Sequence, residues 1–188
     1  VSDRDGWWTL YRVGDHSPIP IDVPEGVEFG RPQWIFGTAS WVPAGDRQIV
    51  VSYTRSGRWR LALLDVETRT LTALAEDLEP REWLAATDRH AVLVAGSTTT
   101  PDAVVRVELS TGHVETLKSS STMTFPAPLI SVPESVEFTS TDGGTTHAFY
   151  YPPRNSEYTG SDDERPPLIL ISHGGPTTAT SATLVLPV

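Results

Sequence analysis

The sequence has 188 residues, 38% of them hydrophobic, with 14 Lys and Arg against 24 Asp and Glu for a net charge of −10, and no cysteine. That is enough apolar content for a globular core, while the acidic balance and the lack of a sustained basic run exclude phosphate tracking on nucleic acid. No apolar run reaches the roughly 18 residues of a membrane span, the absence of thiols excludes a disulfide framework or thiolate metal site, and Val1-Ser2-Asp3-Arg4-Asp5 lacks a signal-peptide pattern, so the expected location is the cytoplasm, with neither nucleic acid nor membrane as partner.

Ser2 to Gly6 is a turn cluster, followed by Trp7-Trp8-Thr9-Leu10-Tyr11-Arg12-Val13, aromatic and β-branched enough for a strand. With nothing ahead of that turn to pair with, the hairpin lacks its first strand, and Val1 is expected to lie inside a larger unit. From residue 49 the sequence repeats: Ile49 to Tyr53 matches Val92 to Gly96, Leu61 to Thr68 matches Val104 to Thr111, and Leu71 to Leu74 matches Val114 to Leu117, all at an ungapped offset of 43. The opening turn fits the same unit, with Arg4, Gly6, Trp8 and Leu10 matching Arg55, Gly57, Trp59 and Leu61. Ala39 to Val42 and Glu82 to Ala85 supply a fourth strand for each full unit. A period of about 40 to 45 residues with four short strands is the pattern of a β-propeller blade, and the chain holds two blades plus the tail of a third. A β-sandwich of similar hairpins is the alternative, although sandwiches rarely repeat in sequence. Val105, Val107 and Leu109 alternate with Arg106 and Glu108, as in a half-buried strand; the more continuous Trp59 to Leu64 suits a strand buried on both faces. Trp8 and Trp59 recur at one blade position and read as packing residues rather than an aromatic ligand platform.

Between Lys118 and Val132 the composition shifts to Ser, Thr and Pro, marking a linker between domains. Ser135 to Ser140 and Thr145 to Tyr151 then form a hairpin around Asp142-Gly143. Ser156 to Arg165 is an exposed loop; its Asp162-Asp163-Glu164 reads as a solvated turn, and no metal or other cofactor is expected. Leu168-Ile169-Leu170-Ile171, bounded by prolines and glycines, reads as a short strand buried on both faces of an α/β sheet. His173-Gly174-Gly175 follows at the strand's carboxyl end, where open α/β sheets place their chemistry. Glycines there let backbone N–H groups approach a reacting carbonyl oxygen. The plainer reading of the same residues is a strand-terminating turn.

A degenerate propeller running into Glu137-Phe138, Asp142-Gly143-Gly144, Ala148-Phe149-Tyr150-Tyr151-Pro152-Pro153 and His173-Gly174-Gly175-Pro176 resembles the prolyl oligopeptidase (S9) family of serine peptidases, most nearly its acylaminoacyl-peptidase and dipeptidyl-aminopeptidase branch. The resemblance covers essentially the whole chain. It implies a mainly β fold, a partial β-propeller (two blades plus part of a third) followed by the first strands of an α/β-hydrolase domain. Residues 1–125 are the C-terminal part of the propeller, and 126–188 the truncated N-terminal part of the catalytic domain. It also implies hydrolysis of short peptides, by acylaminoacyl or dipeptidyl release, with the N–H of Gly175 as oxyanion donor and His173 and Gly174 shaping the loop. The family's nucleophile sits on a Gly-x-Ser-x-Gly elbow, with its acid and base further on. No such elbow occurs in this sequence, so the triad has no positions here and the chain alone is expected to be inactive. His16, His90, His113 and His147 have no serine elbow to serve and read as surface or strand residues. Other readings are a non-catalytic propeller-type binding module and an esterase or lipase with a His-Gly-Gly loop, against which the propeller argues. Short peptides are the implied partners, and a homo-oligomer is compatible with the sequence.

Overall fold

The computed structural model describes residues 1–15, 17–31, 34–175 and 179–185, so His16 and Pro176 lie outside the described residues. Strands β1 (Tyr11–Arg12) and β2 (Ile19–Pro20) form a short antiparallel pair. Then β3 (Trp41–Pro43), β4 (Gln48–Arg55), β5 (Arg58–Asp65) and β6 (Leu71–Leu74) make one four-stranded antiparallel sheet in chain order. A second sheet repeats that meander with β7 (Glu79–Ala86), β8 (His90–Gly96), β9 (Ala103–Glu108) and β10 (Val114–Ser119). No strand crosses from one sheet to the other, as in propeller blades and unlike Greek-key sandwiches.

The stacking of these sheets explains the strand patterns. The first sheet is buried on both faces. On one side Val50, Leu61 and Leu74 pack with Ala91, Leu93, Val105 and Val107 of the second sheet. On the other, Val51, Ala62 and Leu64 meet Leu10, Val27 and Phe29 of the N-terminal segment. The continuous apolar run of β5 thus faces two cores, whereas β9 buries Val105 and Val107 and exposes Arg106.

The 43-residue offset holds for three strands and fails at one. Leu64 pairs with Leu71, and Val107 with Val114, each 43 residues later. Ala62, however, pairs with Val51, while its counterpart Val105 pairs with Leu93, only 42 residues after Val51. The ungapped match of Ile49–Tyr53 to Val92–Gly96 is therefore corrected by one residue. Side chains alternate along a strand, so the uncorrected register would turn Leu93 out of the core. Instead Leu93 is 3% exposed and Val92 37%.

The N-terminal segment is part of a third blade. Ser2 bridges Thr9 just as Tyr53 pairs with Arg60, 51 residues later in each case. Gly6 and Gly57, with φ of 89° and 74°, occupy the two equivalent turns. The second is a two-residue hairpin loop in which Ser56 also has positive φ, 52°, as a type I′ turn requires. Trp8 and Trp59 are half-buried packing residues. A Cβ on Gly30 would stand 2.2 Å from a Trp8 ring carbon, so only glycine admits the ring there.

Past the second blade the chain is irregular, apart from a single 3-10 turn at Ala127–Leu129, up to the expected hairpin of β11 (Glu134–Thr139) and β12 (Thr145–Tyr150). Ser140 closes its loop, its hydroxyl donating to the Gly144 carbonyl at 2.9 Å. Beyond Tyr150 the described residues contain no strand or helix. Ala182 and Thr183 are nonetheless buried, and the Leu184 N–H donates to the Ser97 carbonyl at 2.7 Å, returning the chain to the second blade. The buried strand expected at Leu168–Ile171 is not formed: these residues are 81, 80, 88 and 85% exposed. A strand buried on both faces needs hydrogen-bonded neighbours and covering layers. No described strand pairs with it, and no described α-helix or second sheet covers it.

Candidate functional site

The residues expected to form an oxyanion loop are all exposed. His173 makes no hydrogen bond or ion pair with any described residue, and the space around the Cβ positions of Gly174 and Gly175 is open. Gly175 has φ of 76°, a left-handed conformation that glycine adopts without strain. Among the described residues no hydrogen bond or ion pair brings another side chain to this turn.

A denser arrangement lies where the β11–β12 hairpin meets the β4–β5 turn. The Phe149 ring stands 3.7 Å from where a Cβ on Gly57 would be, so the hairpin covers the tip of the first full blade. Behind it, Glu79 at the start of β7 is only 3% exposed and forms an ion pair with Arg58 at the start of β5. The pair lacks hydrogen-bond geometry at Oε1, and Oε2 has no hydrogen-bond partner. Burial pushes the Glu79 carboxyl above its ordinary value, against the opposing pull of Arg58, Arg81 and Arg60. Tyr151, largely exposed just past the hairpin, has its phenol pKa raised by partial desolvation and then by the charge of Glu79, with Arg58 opposing. Arg81 is held in turn by Asp102 at 3.2 Å.

Arg31 completes the cluster. Its guanidinium lies 3.5 Å over the Trp59 ring and donates to the Pro80 carbonyl at 2.9 Å and the Ser52 hydroxyl at 3.3 Å. Burial lowers its pKa to about 10, so it stays charged at neutral pH. Trp59 thus packs through a cation–π stack and not deep in either apolar core. Sequence reasoning did not find Glu79, Arg58 and Arg31. They come from three separate segments, and a lone acid before a proline carries no pattern that marks it as buried.

The remaining histidines are placed as expected. His147 Nδ1 lies 3.3 Å from Glu137 across the exposed hairpin. His90 and His113 border a cavity of about 180 Å³ with Arg106, Glu108 and Glu115. There a Thr111 hydroxyl bond, then the charges of His90 and His113, hold the Glu108 carboxyl below its ordinary range. Among the described residues no three His, Asp or Glu side chains are grouped to hold a metal, and Asp162 to Glu164 form an exposed turn.

No family model matches this sequence, and no curated protein matches it. Solved structures do. A puromycin-hydrolyzing peptidase of Mycobacterium tuberculosis is 32% identical with a TM-score of 0.80, over 88% of this chain and 25% of its own. Puromycin hydrolase is 32% identical over 97% of this chain and 28% of its own, with a TM-score of 0.86. Its serine-to-alanine mutant complexed with PGG gives 0.87 at the same identity and coverage. The chain therefore spans about a quarter of the length of the solved relatives it matches.

Proposed function

We infer that this chain, which belongs to the prolyl oligopeptidase (S9) family and spans about a quarter of the length of its solved relatives, is the junction between propeller and catalytic domain in a serine peptidase acting on short peptides. The observation that carries this reading is the match to puromycin hydrolase across 97% of the chain, through both blades, the linker and the hairpin. Residues 1–125 are then the end of the propeller that restricts access to the site, and 126–188 open the catalytic domain.

In that domain the serine and its base act as a unit supplied by other parts of the protein. This chain contributes the oxyanion side. Attack on the scissile carbonyl places negative charge on its oxygen, and the Gly175 N–H donates to that oxygen as charge develops. His173 and Gly174 shape the turn that presents it. The left-handed φ of Gly175 supports this assignment, since it is a backbone state suited to presenting an N–H at a tight turn. The substrate class extends from the relatives' activity on puromycin, an aminoacyl amide, to acylaminoacyl or dipeptidyl bonds of short peptides. The test is labelling by a fluorophosphonate probe: a protein extending beyond this chain through the catalytic domain labels stoichiometrically and turns over aminoacyl chromogenic substrates. Absence of labelling in that folded protein would overturn the reading.

A further inference from the structure

A cleft of about 580 Å³ opens beside the β4–β5 turn, within the usual range of small-ligand sites. We propose that it is a carboxylate-binding subsite, taking the free C-terminal carboxylate of a short peptide on Arg55 and Arg60; the ligand class rests on the peptidase reading above.

Three observations converge on it. The first is charge. Arg55, Arg58 and Arg60 line the cleft with Glu76 as its one acid, in a chain whose net charge is −10. Arg58 is committed to Glu79, while Arg55 and Arg60 are exposed and form no ion pair among the described residues. Arg55 also sits directly across the hairpin from Arg58. Glu79 already offsets Arg58, so the cationic charge left at this end of the hairpin is that of Arg55 and Arg60. Guanidinium groups engage carboxylates through paired N–H donors, which suits a terminal carboxylate.

The second is the strand edge. β6 ends at Leu74, opposite Leu61, so Arg58, Trp59 and Arg60 have a strand neighbour only on the β4 side. Ala75, with φ of 48°, turns the chain away at that point. A peptide backbone laid along this edge finds unpaired main-chain groups beside the arginines. The third is the wall: Ser135 of the hairpin also lines the cleft, so the space is bounded by the blade and by the segment that follows the linker.

The test is binding to the protein that contains this chain, read from backbone amide shifts within residues 1–125, with the N-acetylated tripeptide Ala-Ala-Phe as free acid and as C-terminal amide, and inorganic phosphate as a separate arm. The free acid is expected to shift the amides of residues 55–61 and to weaken as salt is raised from about 50 to about 500 mM. The amide, and the Arg55→Gln and Arg60→Gln variants with the acid, should each bind about threefold to fivefold more weakly, the scale of exposed ion pairs. Arg12→Gln, exposed elsewhere, should bind unchanged. Equal affinity for acid and amide, indifference to both arginine substitutions, or binding of phosphate without the peptide acid would each overturn the proposal. The readout needs no turnover, so its failure leaves the peptidase reading standing, and failure of that reading shows instead in fluorophosphonate labelling.

Discussion

Replacing Arg58 by methionine keeps the length of the side chain and removes the charge that faces Glu79. Removing one partner of a buried pair typically costs about 3 to 5 kcal/mol, because the other charge is left unpaired in a poorly solvated site. Here the side chain of Arg58 is 30% exposed and that of Glu79 5%, so the acid is the group that cannot escape to water. Arg81 and Arg60 still pull on it, which reduces the expected loss to about 2 to 3 kcal/mol at pH 7. The pH dependence follows from the direction of the shift. A carboxyl whose folded pKa is raised binds a proton more readily folded than unfolded, so its stabilising contribution is complete below the unfolded value and is lost as pH rises through the folded one. Without Arg58 that folded pKa rises further. Urea titrations should therefore show a loss for Arg58→Met that is large at pH 7 and much smaller at pH 4.5, and Glu79→Gln in the same background should restore most of the stability. A loss of the same size at both pH values, or no rescue by Glu79→Gln, would refute the placement of a buried charge at Glu79.

The corrected register of β8 predicts that Leu93→Asp costs more than about 3 kcal/mol and Val92→Asp less than about 1, by urea denaturation; the reverse order would restore the ungapped alignment. Gly30→Ala forces a methyl group into the Trp8 ring and should destabilise by about 1 to 3 kcal/mol, whereas an unchanged denaturation midpoint would remove that contact. The run Leu168–Ile171, exposed throughout, should drive self-association of the isolated chain. Leu170→Asp should shift its sedimentation toward monomer, and a wild-type chain already monodisperse and monomeric would contradict this.

The blades were legible because each buries the same strand face against the preceding unit, so Ala62 and Leu64, matched by Val105 and Val107, carry the period in their chemistry. The slip at β8 was not, since Val92, Leu93 and Val94 are all apolar and either register looks equally hydrophobic. The hairpin was readable from Asp142-Gly143, a local turn signal. Leu168–Ile171 has the composition of a central strand but lacks the neighbours that would make it one, and composition cannot report missing partners. The cluster of Arg31, Arg58 and Glu79 is assembled from turns and strand ends of different segments, so no spacing announced it; the cleft with Arg55 and Arg60 exists only where β6 ends early.

The most direct test of the oxyanion assignment is the turnover of position-175 variants in a protein that carries this chain within the whole peptidase proposed above. Gly175→Pro deletes the N–H and cannot adopt the positive φ, whereas Gly175→Ala keeps the N–H at the cost of about 1 kcal/mol of local strain. On an aminoacyl chromogenic substrate, kcat should fall by about a hundredfold to a thousandfold for Gly175→Pro and by less than about tenfold for Gly175→Ala, with the Ser nucleophile still labelled by fluorophosphonate in both. Equal kcat losses in the two variants, or unchanged turnover in a folded Gly175→Pro protein, would leave His173-Gly174-Gly175 as a plain structural turn.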